Sequence, residues 1–136
     1  MANRESMLGI VRGAYAARGR GDLDGLMSAF HPAAVFTLVG DKKALDVAGS
    51  VEGHAGLREA LAGYIIAFEF VERDILSDIV EGDRAVVHSR LTVRYKPKNK
   101  VWTTEVLDLF KFQDGKIMEL IEFADTAQIK DMIADT

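Results

Sequence analysis

The spacing of the apolar residues changes once along the chain, and this change limits the folds that it can form. Up to about residue 68 the apolar side chains recur at the three- and four-residue intervals of amphipathic helices. From Phe70 onward they alternate with polar residues, as in β-strands, and turn-forming segments separate the runs. Helices followed by an antiparallel meander predict an α+β fold, with the helices packed on one face of a curved sheet.

Helix-capping and helix-breaking residues define the predicted bounds of the helices and strands. A helix is predicted over residues 7–18, a second begins at the N-cap Asp22 and stops at Pro32, and a third begins at about Ala55. A short strand is predicted over residues 35–39, and a brief one around residues 45–48. Asp125 or Thr126 begins a final helix. The four long strands are predicted over residues 70–80, 85–95, 101–112 and 117–124.

Length, charge and composition exclude several classes of protein. The 136 residues are predicted to form a single domain over residues 1–136. The net charge of -4 argues against partners such as nucleic acid or an anionic membrane. The sequence contains no cysteine, no metal-ligand spacing of histidines and no phosphate-binding glycine loop, so no metal or cofactor is expected. No apolar run suits a signal peptide or a membrane span, and a cytoplasmic location is the expectation.

An acid interrupts one apolar face of the predicted strand 101–112. Asp108 shares the parity of Val106, Phe110 and Phe112, which a strand would turn to the same side. A buried carboxylate without a partner is costly, so this acid must be paired, hydrated or protonated. Pairing would make Asp108 part of the architecture, whereas a retained proton would suggest chemistry.

A second acid is predicted on the same concave face. Glu122 lies in the next strand along the chain, and two carboxyls in an apolar pocket repel, so one should keep its proton. Such a pair offers one hydrogen-bond donor and one base. In the alternative interpretation, one or both of these acids pair with Arg90, His88 or a backbone amide and only stabilise the sheet.

The opposite face of the last strands is also apolar. The alternation predicts five outward-facing side chains there: Leu107, Leu109, Ile117, Ile121 and Phe123. An apolar outer face of this extent needs cover, and a homodimer through the sheet is the simplest source of it.

Three segments carry a resemblance to a known superfamily. "GDLDGLMSAFHPAAVF", "EGHAGLREAL" and "LDLFKFQDGKIMELIEFADT" together resemble the SnoaL-like polyketide cyclase and ketosteroid isomerase superfamily. The resemblance covers essentially the whole chain. It implies the cone-shaped, cystatin-like α+β barrel of the nuclear transport factor 2 family, with a deep, mostly apolar pocket. This fold hosts isomerases, cyclases, dehydratases, epoxide hydrolases and non-catalytic proteins, so the resemblance specifies the fold more than the reaction.

The isomerases imply roles for individual positions. Asp108 matches the aspartic acid of their "D-x-F-x-F" strand, which stays protonated and donates a hydrogen bond to the developing oxyanion. The position of their general base is occupied by Leu38. The position of their oxyanion tyrosine falls on Ala14, which leaves the neighbouring Tyr15 as a substitute. The missing base argues against steroid isomerisation.

The last strands are also similar to those of limonene-type epoxide hydrolases. The pocket of those enzymes holds an arginine between two aspartates that activate a water. Arg90 matches the arginine, while Thr92 and Glu122 stand where the two aspartates would be. One of the two acids of that site is therefore absent, and a one-residue slip or a β-bulge would turn Arg90 outward.

Other residues are predicted to bind the ligand by lining the pocket. Trp102 shares the parity of Asp108, and the third helix, which lines the cavity in this superfamily, carries Tyr64 and Phe68. For these aromatic residues the alternative is a place in the core. The full predicted set is Leu38, Tyr64, Phe68, His88, Arg90, Trp102 and Phe110, of which His88 has a structural or interface role as its alternative.

Two classes of function remain. The first is a cofactor-independent isomerase, cyclase or hydratase that acts on a small hydrophobic carbonyl compound by proton transfer. In it, Asp108 is the electrophilic donor, Glu122 is the candidate base and Tyr15 is a further catalytic candidate. The alternative is a non-catalytic protein of the same fold that binds a small hydrophobic molecule or serves as a dimerisation module.

Overall fold

The computed structural model describes residues 3–134 as four α-helices and a six-stranded sheet. No helix in this part of the chain is long and apolar enough to cross a membrane. A short 3-10 turn at Lys96–Lys98 joins the fourth and fifth strands. In chain order the elements are α1 (Arg4–Gly19), α2 (Leu23–Ser28), β1 (Phe30–Leu38), β2 (Gly49–Glu52), α3 (His54–Ala67), β3 (Phe68–Glu81), β4 (Arg84–Tyr95), β5 (Lys100–Gln113), β6 (Lys116–Phe123) and α4 (Thr126–Ile133).

Local signals in the sequence account for several of these boundaries. The Asp22 carboxylate accepts a hydrogen bond from the Gly25 amide at 2.9 Å and caps α2. Asp125 caps α4 by accepting one from the Gln128 amide at 3.0 Å. Asp22 acts as predicted, and of the two candidates for α4 the cap is Asp125. A carboxylate at the N-cap satisfies an amide that has no partner within the helix.

The connection between β5 and β6 is a tight hairpin. Asp114 and Gly115 both adopt positive φ, at 55° and 72°. Aspartate and glycine tolerate this conformation, which a two-residue turn of matching twist requires. The hairpin that the sequence predicts at this point is therefore confirmed.

The sheet has the strand order β2-β1-β6-β5-β4-β3, and the helices pack on its concave face. The predicted α+β cone is confirmed, but the sheet is mixed because β1 and β6 run parallel. Pro32 does not end α2, which stops at Ser28. It lies inside β1, where the pairing with β6 is irregular and a missing amide is tolerated. The brief strand predicted around residues 45–48 is a turn, and β2 follows it at Gly49.

Two clusters of buried side chains form the core. The larger joins α1, α2 and α3 to β1 and to the middle of the sheet, and it contains Met7, Leu57 and Phe110. The smaller cluster lies between the C-terminal half of β4, the N-terminal half of β5 and helix α4, whose Met132 is buried in it. The two clusters meet along α3, where Tyr64 packs against both.

The outer face of β5 and β6 carries apolar side chains, although one predicted residue is missing from it. Ile117 is fully buried because the β5–β6 register shifts between Lys111 and Phe112 and turns it inward. Leu107 and Phe123 are 38% and 45% exposed on the outer face, as the alternation predicts. A homodimer through this face stays a prediction.

Replacing the buried Leu57 by alanine should lower the free energy of unfolding by about 2–5 kcal/mol, because it opens a cavity in the larger cluster. The matched control is Ile66→Ala in the same helix, whose side chain is 71% exposed and whose loss should change stability by less than about 0.5 kcal/mol. Urea unfolding followed by circular dichroism measures both. Equal losses for the two variants would contradict this description of the core.

If a second copy covers the outer face, the protein should sediment as a dimer at micromolar concentration. Phe123→Glu should convert it to a monomer, because a charge would then be buried without a partner. Ile66→Glu, on the helical side, should leave the dimer intact. A monomeric profile for the unmodified protein would rule out this assembly.

Candidate functional site

A deep pocket opens between the concave face of the sheet and helices α1, α3 and α4. It encloses about 1000 Å³ of empty space, a figure that includes its open mouth. Apolar side chains from both layers form most of its wall, among them Leu26, Phe36, Leu61, Leu91, Val106 and Ile129. Such a concave, apolar cavity with a few polar groups has the character of a small-molecule site.

The two acids singled out in the sequence lie side by side in this pocket. Asp108 in β5 is the direct cross-strand partner of Glu122 in β6. On its other side, Glu122 pairs in register with Leu38 of β1. All three residues line the pocket, so the strand alternation places the acids on the concave face.

Asp108 is enclosed, with only 1% of its surface exposed. The Tyr15 hydroxyl donates a hydrogen bond to Asp108 Oδ2 at 2.6 Å, and Arg73 Nη1 lies 3.9 Å from the same oxygen. The other oxygen, Oδ1, is buried and has no hydrogen-bond partner among residues 3–134. One hydrogen-bond donor and one cation therefore lie at Oδ2 of Asp108, whereas its Oδ1 has neither.

Tyr15 belongs to the site, although it lies one residue beyond the matching position of the isomerase tyrosine. Its pKa is raised, chiefly by burial and then by the negative charge of Asp108. The hydroxyl consequently keeps its proton at neutral pH and acts as a fixed donor to Asp108.

Glu122 is half-buried, and its exposed part faces the pocket. Burial raises the pKa of its carboxyl well above the usual value, and the negative charge of Asp108 raises it further. Arg73 and Arg18 oppose this increase without cancelling it. Glu122 therefore holds its proton to higher pH than an ordinary glutamate does, and its carboxyl is accessible from the pocket.

Arg73 is a site residue that the sequence did not reveal. Strict alternation from Phe70 would turn it outward, but the β3–β4 register shifts between Phe70 and Glu72 and brings Arg73 to the concave side. Its Nη1 donates to Ser89 Oγ at 3.0 Å, and its guanidinium lies 3.6 Å from the ring centroid of Tyr15. No sequence signal marks this bulge.

Arg18, in the last turn of α1, is the second arginine of the pocket. Its Nη2 donates to the carbonyl oxygens of Phe68 at 2.7 Å and Tyr64 at 3.3 Å, and its guanidinium lies 3.8 Å from the Phe70 ring centroid. Burial is the main cause that lowers its pKa to about 10, so it stays charged at neutral pH. Its position on the apolar stripe of α1, four residues after Ala14, was a usable signal.

Four of the seven predicted ligand-binding residues line the pocket: Leu38, Tyr64, Phe68 and Phe110. The Tyr64 hydroxyl donates to the Val47 carbonyl oxygen at 2.7 Å. Burial, followed by the charge of Glu122, raises the pKa of Tyr64 to about 12. Tyr64 is thus a neutral wall residue with a satisfied hydroxyl.

The other three predicted residues lie outside the pocket. Trp102 is on the concave side but near the start of β5, where it packs against the smaller cluster. His88 and Arg90 lie on the outer face, because Ser89 occupies the buried position between them. His88 Nε2 is 2.6 Å from Glu105 Oε1, and Arg90 faces Glu105 across the strands. The prediction that Trp102, His88 and Arg90 line the pocket is therefore corrected.

Solved structures similar to this one support the cone fold. A protein described as NTF2-like and of unknown function, from Burkholderia pseudomallei, is 21% identical, has a TM-score of 0.83 and matches over 99% of this chain and 100% of its own. A candidate polyketide cyclase from Xanthomonas campestris is 15% identical, with a TM-score of 0.79 and coverage of 98% and 100%. An LEH-like epoxide hydrolase from Mycobacterium tuberculosis is 16% identical, with a TM-score of 0.75 and coverage of 95% and 90%.

At these identities the likeness establishes the fold alone. No curated protein sequence matches the chain. The sequence pattern of the SnoaL-like domain, however, matches residues 11–120, which run from the middle of α1 into β6. The chain therefore belongs to the SnoaL-like domain family.

Proposed function

We propose that this protein is a cofactor-independent enzyme that transfers a proton on a small hydrophobic carbonyl compound, as an isomerase, cyclase or hydratase does. The observation that carries the proposal is the Glu122 carboxyl, which faces an apolar pocket with a raised pKa. A carboxyl with a raised pKa that faces a ligand can both accept a proton from it and return one.

The two acids take different roles in this proposal from those expected at first. Asp108 is enclosed by Tyr15 and Arg73, so a ligand has almost no access to its oxygens. Burial and the negative charge of Asp108 favour the protonated form of Glu122, so the resting pair holds its proton there. Glu122 is then the acid–base group, and Asp108 is a positioning residue that acts through it.

The position of Glu122 also bears on the missing isomerase base. The resemblance puts that base at Leu38, and Glu122 is the register partner of Leu38 on the adjacent strand. Cross-strand partners hold their side chains about 5 Å apart on the same face. A carboxyl is thus present beside the position where the isomerases have theirs, although a different strand supplies it.

The reaction follows from this arrangement. In its ionised form, Glu122 removes a proton from the carbon next to the carbonyl, and the electron pair of the broken C–H bond moves toward the oxygen. The resulting oxyanion is stabilised by the positive potential of Arg18 and Arg73. Return of the proton from Glu122 to a different carbon completes an isomerisation, and no electrons leave the substrate.

A non-catalytic binding protein is the second candidate, and one observation favours it. Leu38 is buried at the position of the isomerase base, so the pocket is more apolar there than in the isomerases. A protein of this kind would bind hydrophobic carbonyl compounds without exchanging their protons.

The first test is hydrogen–deuterium exchange at the α-carbons of cyclic ketones in heavy water, followed by NMR with 2-tetralone as the lead compound. The protein should accelerate exchange over buffer, and Glu122→Gln should slow it by at least about 100-fold, since loss of a general base typically costs that much. Glu119→Gln, three residues earlier in β6 and paired with Lys111, is the matched control and should keep the full rate. Ketones that bind without accelerated exchange would favour the binding protein.

The raised pKa of Glu122 also predicts how stability depends on pH. The folded chain binds this proton more tightly than the unfolded chain, so the free energy of unfolding should fall as pH rises from the ordinary glutamate range through the pKa of the folded state. The fall should approach about 1.4 kcal/mol for each pH unit of that interval. Urea unfolding between pH 4 and pH 9 measures it.

Glu122→Gln should remove this component, so its stability relative to the unmodified protein should increase with pH. Glu119→Gln should keep the original slope. A slope that is the same in all three proteins would show that Glu122 titrates normally.

A further inference from the structure

Two guanidinium groups lie against the same aromatic ring inside the pocket. The Arg18 guanidinium is 3.8 Å and that of Arg73 is 5.6 Å from the ring centroid of Phe70. The two side chains are largely buried, with 8% of Arg18 and 12% of the Arg73 side chain exposed. The charge of Arg73 contributes to the lowered pKa of Arg18, so the two cations are close enough to repel each other.

The charges that line the pocket do not cancel. Its titratable side chains are Tyr15 and Arg18 from α1, Tyr64 from α3, Arg73 from β3, Asp108 from β5 and Glu122 from β6. The tyrosines are neutral, and the two arginines carry one positive charge each. The carboxyl pair with a single proton carries one negative charge. The resting pocket therefore has a net charge of +1 in an apolar surrounding, where electrostatic interactions are strong.

Both guanidiniums keep hydrogen-bond donors for a ligand. Arg18 uses Nη2 for two carbonyl oxygens, and Arg73 uses Nη1 for Ser89. Within residues 3–134, the remaining nitrogens of both groups donate no hydrogen bond, and none of them is sealed from the pocket or solvent. An arginine presents its donors in a planar fork that matches the two oxygens of a carboxylate.

We propose that the pocket selects an apolar molecule that carries one carboxylate, held by Arg18 and Arg73 while its hydrocarbon part contacts the apolar wall. The inference rests on the proposed function in taking this pocket as the ligand site, and it narrows the substrate class from a hydrophobic carbonyl compound to an acid anion. With Glu122 protonated the pocket has a net positive charge that attracts such a ligand, whereas with Glu122 ionised the pocket is neutral and the attraction is weaker.

Calorimetric titration with a matched pair of compounds tests the inference. 2-Naphthoate and methyl 2-naphthyl ketone have the same ring system and nearly the same shape, but only naphthoate carries a charge. At pH 6 and low salt, naphthoate should bind at least about tenfold more tightly than the ketone. Arg73→Met should remove this preference by weakening naphthoate alone, and Arg18→Met should do the same. Arg90→Met, on the outer face, is the control that should change neither affinity.

The pH dependence gives a second readout that needs no arginine variant. Naphthoate stays ionised from pH 6 to pH 9, so its affinity should fall as Glu122 loses its proton and the net charge of the pocket drops to zero. Glu122→Gln should keep high affinity across the range. The affinity of the neutral ketone should change much less.

Equal affinities for the two compounds, or no binding of naphthoate at millimolar concentration, would overturn the inference. A naphthoate preference that survives Arg73→Met would overturn it as well. The exchange experiment with 2-tetralone uses a neutral ketone, so the two failures are distinguishable. If the protein accelerates exchange but does not prefer naphthoate, only the proposed binding of a carboxylate is refuted. If it prefers naphthoate but does not accelerate exchange, only the proposed proton transfer is refuted.

Discussion

The hydrogen bond from the Tyr15 hydroxyl to Asp108 is the interaction on which the arrangement of the pocket depends. Asp108 is buried in the middle of the sheet, where a carboxylate without partners would cost several kcal/mol. Tyr15 offsets part of this cost and joins α1 to β5. Arg73, stacked on the Tyr15 ring, supplies the opposite charge. The first helix, an edge strand and a central strand thus meet at a single carboxylate.

Burial and the negative charge of Asp108 together raise the pKa of Glu122. The adjacent carboxyl lies in the same low-dielectric space, and a second negative charge beside the first would be unfavourable. Asp108 is thus enclosed by Tyr15 and Arg73, whereas the carboxyl of Glu122 faces the pocket with a raised pKa. This difference between the two acids requires both of them, because Asp108 takes the nearby donor and cation and Glu122 faces the pocket.

Alternation along single strands was sufficient to predict much of the molecule. It places Asp108 and Glu122 on one face, and the turn at Asp114 and Gly115 sets their strands in register. The helix caps and the order of helices before strands could likewise be read from local residue types. These features depend on interactions over a few residues, where the physical preferences of each side chain dominate.

The inward positions of Arg73 and Ile117, which the sequence did not reveal, result from irregular pairing between strands. One extra residue near Val71 turns Arg73 inward, and a similar shift near the start of β6 buries Ile117. Arg90 was expected in the pocket because of the resemblance to epoxide hydrolases, but Val87 and Leu91 are buried at positions of the opposite parity, so it lies on the outer face. A bulge changes the parity of every residue beyond it, and its position is set by neighbouring strands that a single-sequence pattern does not contain.

The irregularity that turns Arg73 inward has a second consequence, because β3 is the last strand of the sheet. Its free side offers unpaired amides and carbonyls, which in a long, regular strand would form a template for another chain. Besides the shift after Phe70, a second one interrupts its pairing between Ile75 and Ser77. Bulges bend and twist an edge, so an incoming strand would find only short runs in register. The register shifts in β3, the first of which brings Arg73 into the pocket, therefore also protect this edge from fibril-like association.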